Sequence, residues 1–274
     1  MAAGVVVNTN ISSIHASRVL SNNRSDLETA MARLASGKRV NSAADDAAAA
    51  SVSLKMKADI ASGDVAVRNI NDGISLFQTF DGAASEVENI LVRMRELGAQ
   101  MNNGTYATAD RTAANTEYQA LLAEIDRIAN NTAFNRTAIA NTPLAVQIQL
   151  GAAGADKVNF NTADLNAAAL TVNSTLVTTE ANSALAITAI DAGLAAVSTA
   201  RATAGSNINR LGFALSNAQN VSQRLNEALS GLQDTDYAAE SANLARGMVL
   251  AQAGTAMLAQ ANQAPQYVLT LLRG

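Results

Sequence analysis

A chain of 274 residues with 49% apolar content, only 3% aromatic residues and no Trp has helix-forming material, since Ala is the strongest helix former. It has little bulk for a thick core, because small side chains gain little at about 25 cal/mol per Å² of apolar burial. A net charge of −4 with no basic block, zero Cys and a single His15 exclude the footprint of a nucleic-acid binder, disulfides, thiolate catalysis and Cys- or His-rich metal sites.

The first residues, MAAGVVVNTNISS, lack a basic n-region and a sustained apolar h-region, so a cleaved secretory signal is not expected. No run approaches the roughly 18 consecutive apolar residues of a membrane span, so membrane insertion is not expected either. His15 reads as a surface or subunit-contact residue. Leu20, Leu27 and Leu34 then recur every seven residues, with Met31 between the last two. This is an amphipathic helix without enough partner surface of its own. Asp45 and Asp46 read as helix-start or polar structural residues, because adjacent helical positions diverge by about 100° and no His, Cys or third acid joins them.

Ile60, Val67, Ile70, Ile74 and Phe77 form a stripe continued by Val87, Ile90, Met94, Leu97 and Met101. Asn102-Asn103-Gly104 supplies a turn, and a shorter stripe follows through Ala114, Tyr118, Leu121, Ile125 and Ile128. The period then drops to two. Leu144, Val146, Ile148 and Leu150 alternate with small or polar residues, Gly151 to Gly154 offers a turn, and Val158 and Phe160 resume the alternation. That pattern predicts a β-hairpin. Residues 161–180, polar and rich in Thr, Asn and Ala, read as a loop or short elements.

From Ile187 to Leu232, 3-4 spacing is interrupted only by Arg201 and Ser222, which predicts a continuous coiled-coil helix of about 70 Å. Asp234 and Asp236 read as N-terminal capping acids of a last helix, whose stripe is Leu244, Met248, Ala251, Thr255 and Leu258. The fold class expected is mainly α: a long antiparallel coiled-coil helical rod over 43–233 with a small β-hairpin near 138–163. The terminal segments, 1–42 with 234–274, form a second coiled-coil domain.

Three strings in the first half, RLASGKRVNSAADDAAAAS from Arg33, RNINDGISLFQTFDGA from Arg68 and EIDRIANNTAFN from Glu124, closely resemble the N-terminal half of bacterial flagellin. AIDAGLAAVSTARATAGSNINRL from Ala189 and the ending QAGTAMLAQANQAPQYVLTLLRG resemble its C-terminal half. The short middle implies a form without the large variable outer domains, and so without the region where some members carry an enzyme. The resemblance implies a structural subunit that polymerises into the flagellar filament used for swimming, with a hook–filament junction protein as the alternative within the family. A cell-surface hydrolase, the reading from another class, lacks both residues and an insert domain to support it.

The same resemblance implies terminal segments that are largely disordered in the monomer and order on assembly. It places subunit contacts at Leu20, Leu27, Leu34, Leu244, Met248, Leu258 and Leu269, and axial stacking at Arg93, Arg95, Glu96 and Leu97. Arg93, Leu97 and Glu117 match positions contacted by the flagellin-sensing Toll-like receptor, although Val92, Gly98 and Ala99 depart from the commoner residues there. Expected partners are further copies of the chain, paralogous flagellins, hook-associated junction and cap proteins, an export chaperone and the type III export apparatus. The expected location is the extracellular filament, with no catalytic, metal or cofactor residue.

Overall fold

The computed structural model describes residues 9–151 and 156–273, with side chains up to residue 264. The turn expected at 151–154 lies, past Gly151, outside the described residues, as does the side chain of Leu269. The helices are α1 (Ile11–Ser36), α2 (Ala47–Met101), α3 (Thr108–Asn131), α4 (Glu180–Gln233) and α5 (Tyr237–Arg273). Between α3 and α4 lie β1 (Ala133–Phe134), β2 (Thr137–Ala138), β3 (Ala145–Gln149) and β4 (Lys157–Asn161). Packing divides the chain into two compact units, 1–58 with 225–274, and 59–224. The divisions fall inside α2 and α4, away from the boundaries expected after 42 and before 234.

In the first unit α1 and α5 pair antiparallel. Asn10 donates through Nδ2 to the Ala261 carbonyl at 2.7 Å, and Ser13 Oγ donates to Asn262 Oδ1 at 2.7 Å. At the other end Thr235 N–H reaches the Gly37 carbonyl at 3.0 Å. Local chemistry sets the helix limits. Asn10 Oδ1 accepts from Ser13 N–H at the start of α1, and Gly37 closes it in the left-handed conformation at φ 69°, where glycine carries no Cβ penalty. Asp236 Oδ1 accepts from Ala238 and Ala239 N–H and caps α5, as its position suggested. Asp234 instead forms a backbone bridge with Lys38. Asp46 caps α2 through Ala49 N–H, while Asp45 gathers the N–H groups of Asn41 and Ser42 and the Ser42 hydroxyl.

The seam between α1 and α5 steps by three and four along α5 and by seven, three and four along α1. On α1 it uses Leu20, Leu27, Ala30 and Leu34; on α5 it uses Leu244, Gly247, Ala251, Gly254 and Leu258. A Cβ on Gly254 would lie 3.1 Å from Leu20, and one on Gly247 would lie 3.5 Å from Leu27. Each leucine thus drops into a glycine gap, and the helices approach closely. The expected α5 stripe is corrected at two places: Met248 and Thr255 point outward, and Gly247 and Gly254 hold the inward positions. Two flanks expected to lack partner surface supply it to each other.

In the second unit α2, α3 and α4 form a bundle around one core. The α2–α4 register is antiparallel and constant: Arg95 meets Asp191 at 2.6 Å, Arg201 meets Glu88 at 2.6 Å, and Ser222 meets Asp64 at 3.3 Å. Phe77, Phe80, Leu91, Met94, Ile190 and Leu211 are fully buried. Arg201, the charge that interrupts the α4 seam, lies across α2 and bridges Asp81 and Glu88. Beyond Leu211 the seam is only half-buried, Leu225, Leu229 and Leu232 included. Taken alone, α4 is long and apolar enough to cross a membrane, with a mean hydropathy of 1.5 in its best window. Its apolar row, Ile190, Val197, Ala204 and Leu211, faces the bundle core instead.

The predicted hairpin forms as β3 and β4, in the register Ala145↔Asn161 to Gln149↔Lys157. Ile148 and Phe160 point inward, and Phe160 sets its edge against Phe77 at 5.6 Å between centroids. Gly73 makes room for this seating, since a Cβ there would collide with Ile148. The shorter β1–β2 hairpin turns through Asn135 and Arg136, both at positive φ, as a type I′ turn requires. Residues 162–179 are turns, but Leu165, Leu170, Val172 and Val177 are buried. Asp126, Asn115 and Tyr118 on α3 tie this segment down by hydrogen bonds to Ala167 N–H, Val177 N–H and Thr175 Oγ1. Burial pushes the Tyr118 phenol above its ordinary pKa, against the opposing effect of the Thr175 hydrogen bond.

Candidate functional site

Two surfaces collect the residues singled out in the sequence. The first is one side of the α1·α5 pair. Because the seam leucines fall into glycine gaps, the residues beside the seam stand proud and leave a groove of about 700 Å³. Ile11, Val19, Leu250 and Met257 line it, with His15 between them on α1. All four apolar side chains are at least half exposed, Met257 at 64%. Past Asn23 and Leu250, which line both stretches, the same groove turns polar and continues along Asp26, Arg33, Asn243 and Arg246. Arg33 reaches Glu240 at 3.8 Å, and its Nε is buried without an acceptor.

Leu20, Leu27, Leu34, Leu244 and Leu258, expected as contacts between subunits, meet one another within the chain, and Leu20 and Leu27 also reach the floor of the groove. They form the seam that joins α1 to α5. Met248 is 53% exposed, outside the groove. The groove residues Ile11, Val19, Leu250 and Met257 were missed. Their signal was available as a second apolar row one position off the seam, but the stronger seven-residue leucine repeat masks it.

The second surface lies on α2 and α3. Arg93 donates through Nε and Nη2 to Glu117 at 3.1 and 2.9 Å and through Nη1 to Glu96 at 3.0 Å. These hydrogen bonds raise the Arg93 pKa further, as Asp191 does for Arg95. All five side chains are about half exposed. Leu97 does not belong with them. At 3% exposure it packs into the bundle core, beside Gly98, where a Cβ would lie 3.1 Å from Ile187. Leu97 is a core residue and presents nothing to another molecule. Among the described residues no three His, Cys, Asp or Glu side chains gather as a metal site.

Comparison with known proteins agrees with this architecture along the chain. The bacterial flagellin N-terminal helical region matches residues 7–141, and the bacterial flagellin C-terminal helical region matches 187–272. A flagellin of Halalkalibacterium halodurans is 42% identical over 98% of this chain and 100% of its own length. A Bacillus subtilis flagellin is 36% identical over 97% and 99%. The crystal structure of Bacillus cereus flagellin superposes with a TM-score of 0.50 at 34% identity, over 55% of this chain and 88% of that one. A putative flagellar hook-associated protein of Vibrio parahaemolyticus reaches a TM-score of 0.58 at 14% identity, over 69% and 100%, and so shares the fold alone. The chain belongs to the bacterial flagellin family.

Proposed function

We propose that the chain is the structural subunit of a flagellar filament and that the side of the α1·α5 pair carrying the apolar groove is where copies meet. The observation that carries this reading is a coiled coil whose inner seam is closed within one chain while a second apolar row stays open beside it. A monomer gains nothing from that exposed row, whereas a neighbouring copy would bury it. A contact between two different patches does not close on itself and generates an open helical polymer. The filament reading is favoured over a hook–filament junction protein because relatives of at least 30% identity over nearly the whole chain are flagellins.

The finer assignments follow from the same reading. Arg93, Arg95, Glu96 and Glu117 form a charged patch suited to axial contacts between stacked copies. Arg93 and Glu117 are what remains there for an innate immune receptor once Leu97 is withdrawn into the core. Junction and cap proteins, an export chaperone and the type III export apparatus are the partners of such a subunit, and its place is the extracellular filament. No residue is assigned to catalysis. Met257→Asp tests the assembly surface. The exposed side chain contributes little to the monomer, so its melting temperature should stay within about 2 °C of the unmodified chain. Filament yield in a sedimentation assay should collapse, because assembly would bury an unpaired carboxylate. Unchanged filament yield would sink the assignment.

A further inference from the structure

We propose that His15 makes self-assembly responsive to protons: protonating this one side chain in the groove wall opposes the seating of a second copy. The proposal rests on the assembly reading above. His15 is exposed on α1, one turn before Val19 and one turn after Ile11, and it is the only titratable side chain among the described residues lining the apolar stretch. Across the groove α5 offers Leu250, Ala253, Gly254, Met257 and Ala261. None of them carries a charge or a proton-accepting side chain, and the Met257 thioether is only a weak hydrogen-bond acceptor. On α1 the nearest charge in sequence is Arg18, whose sign also disfavours an imidazolium, while the acid Asp26 lies further along, on the polar stretch of the groove.

The occupant is a second copy of this chain, because the chain carries both halves of the fit. The groove lies on one flank of the α1·α5 pair. Met31 and Met248, both exposed and absent from the groove lining, lie on the other flank at 100° per residue. Seating that flank in the groove removes water from around His15. A neutral imidazole tolerates this, while a charged one loses its hydration and gains nothing from the α5 wall. The titratable groups on the incoming flank are Arg24 and Glu28. Arg24 would add to the repulsion. Glu28 lies one turn from Met31 and is the single group that could reverse the sign by pairing with a charged His15.

Histidine side chains titrate between about pH 5 and 8, above the range of ordinary carboxylates, so the experiment is confined to pH 5.5–8. The critical concentration for polymerisation of the full chain is measured by sedimentation across that window, for the unmodified chain and for His15→Gln, with monomer helicity followed by circular dichroism. The unmodified chain should need several-fold more protein to polymerise at pH 5.5 than at pH 8, because seating removes water from a side chain that is charged only at the lower pH. His15→Gln should polymerise with nearly the same critical concentration throughout. Identical profiles for the two chains would overturn the proposal, as would an unmodified chain that polymerises better at pH 5.5, the outcome if Glu28 reaches His15. Absence of polymer from the unmodified chain at pH 8 would instead overturn the assembly reading, and the proton response with it.

Discussion

At the scale of single residues, position relative to the backbone decides what each charged group does. Asp45 and Asp46 are neighbours, yet one caps α2 while the other holds the preceding turn. The N–H and hydroxyl of Ser42 and the N–H of Asn41 keep the Asp45 carboxyl below the usual carboxylate range. A group whose folded pKa is depressed stabilises the fold above its unfolded value, and that contribution is lost as pH falls through the folded value. Asp45→Asn should therefore lower the urea midpoint at pH 7 and flatten its acid dependence below about pH 4. Parallel acid limbs for the two chains would show that the turn owes nothing to this carboxylate. Arg111 illustrates a role that spacing could not reveal. It donates to the carbonyls of Met101 and Asn103 and so terminates the long α2, though in sequence it is only one more basic residue near the start of α3.

At the scale of elements, α4 shows how far periodicity can be read. The 3-4 spacing is uniform from Ile187 to Leu232, but only the stretch up to Leu211 is enclosed by α2, α3 and the hairpin. Leu211→Ala should cost about 2–5 kcal/mol in chemical denaturation, as expected for a fully buried leucine. Leu225→Ala, half-buried, should cost about half as much or less. Equal losses would mean that the two sites are equally enclosed. The helices and the β3–β4 hairpin were legible because their periods, near 3.5 and 2, repeat long enough to stand out. The α5 seam was misread at Met248 and Thr255 because a seam built on Gly247 and Gly254 carries no hydrophobic signal. The buried residues of 162–179 were missed for a related reason. Leu165, Leu170, Val172 and Val177 follow no period, and α3 side chains rather than a backbone ladder hold them in place. The charged patch was visible as a cluster, but the ties from Arg93 to Glu117 and from Arg95 to Asp191 join residues far apart in sequence.

At the scale of the whole molecule, the two units differ in what holds them. The 59–224 unit encloses aromatic and long aliphatic side chains, whereas the α1·α5 seam rests on leucines against glycines and alanines. A pair of helices with so little apolar area between them opens easily. Backbone amides of α1 and α5 should therefore exchange with solvent much faster in the isolated chain than those around Ile125 and Ile190. In polymer they should approach the same protection. Exchange in α1 and α5 that polymerisation leaves unaltered would show that neighbouring copies do not cover this pair. In the structure α1 and α5 are paired helices where largely disordered terminal segments were expected.

The hydrogen bond from Asn10 to Ala261 spans 251 positions. Closing so large a loop adds only logarithmically to its entropic penalty, so the separation bears on timing more than on strength. When the chain is made or delivered from its amino end, α1 must wait for its partner until nearly everything else has emerged. The bundle from α2 to α4 can fold during that wait, but α1 alone lacks the opposite wall of the groove. A product cut short anywhere before α5 would fold its middle and keep the charged patch, but would lack the apolar groove proposed for assembly. On the assembly reading proposed above, the pairing of α1 with α5 therefore makes the groove available to a neighbour only after α5 has emerged.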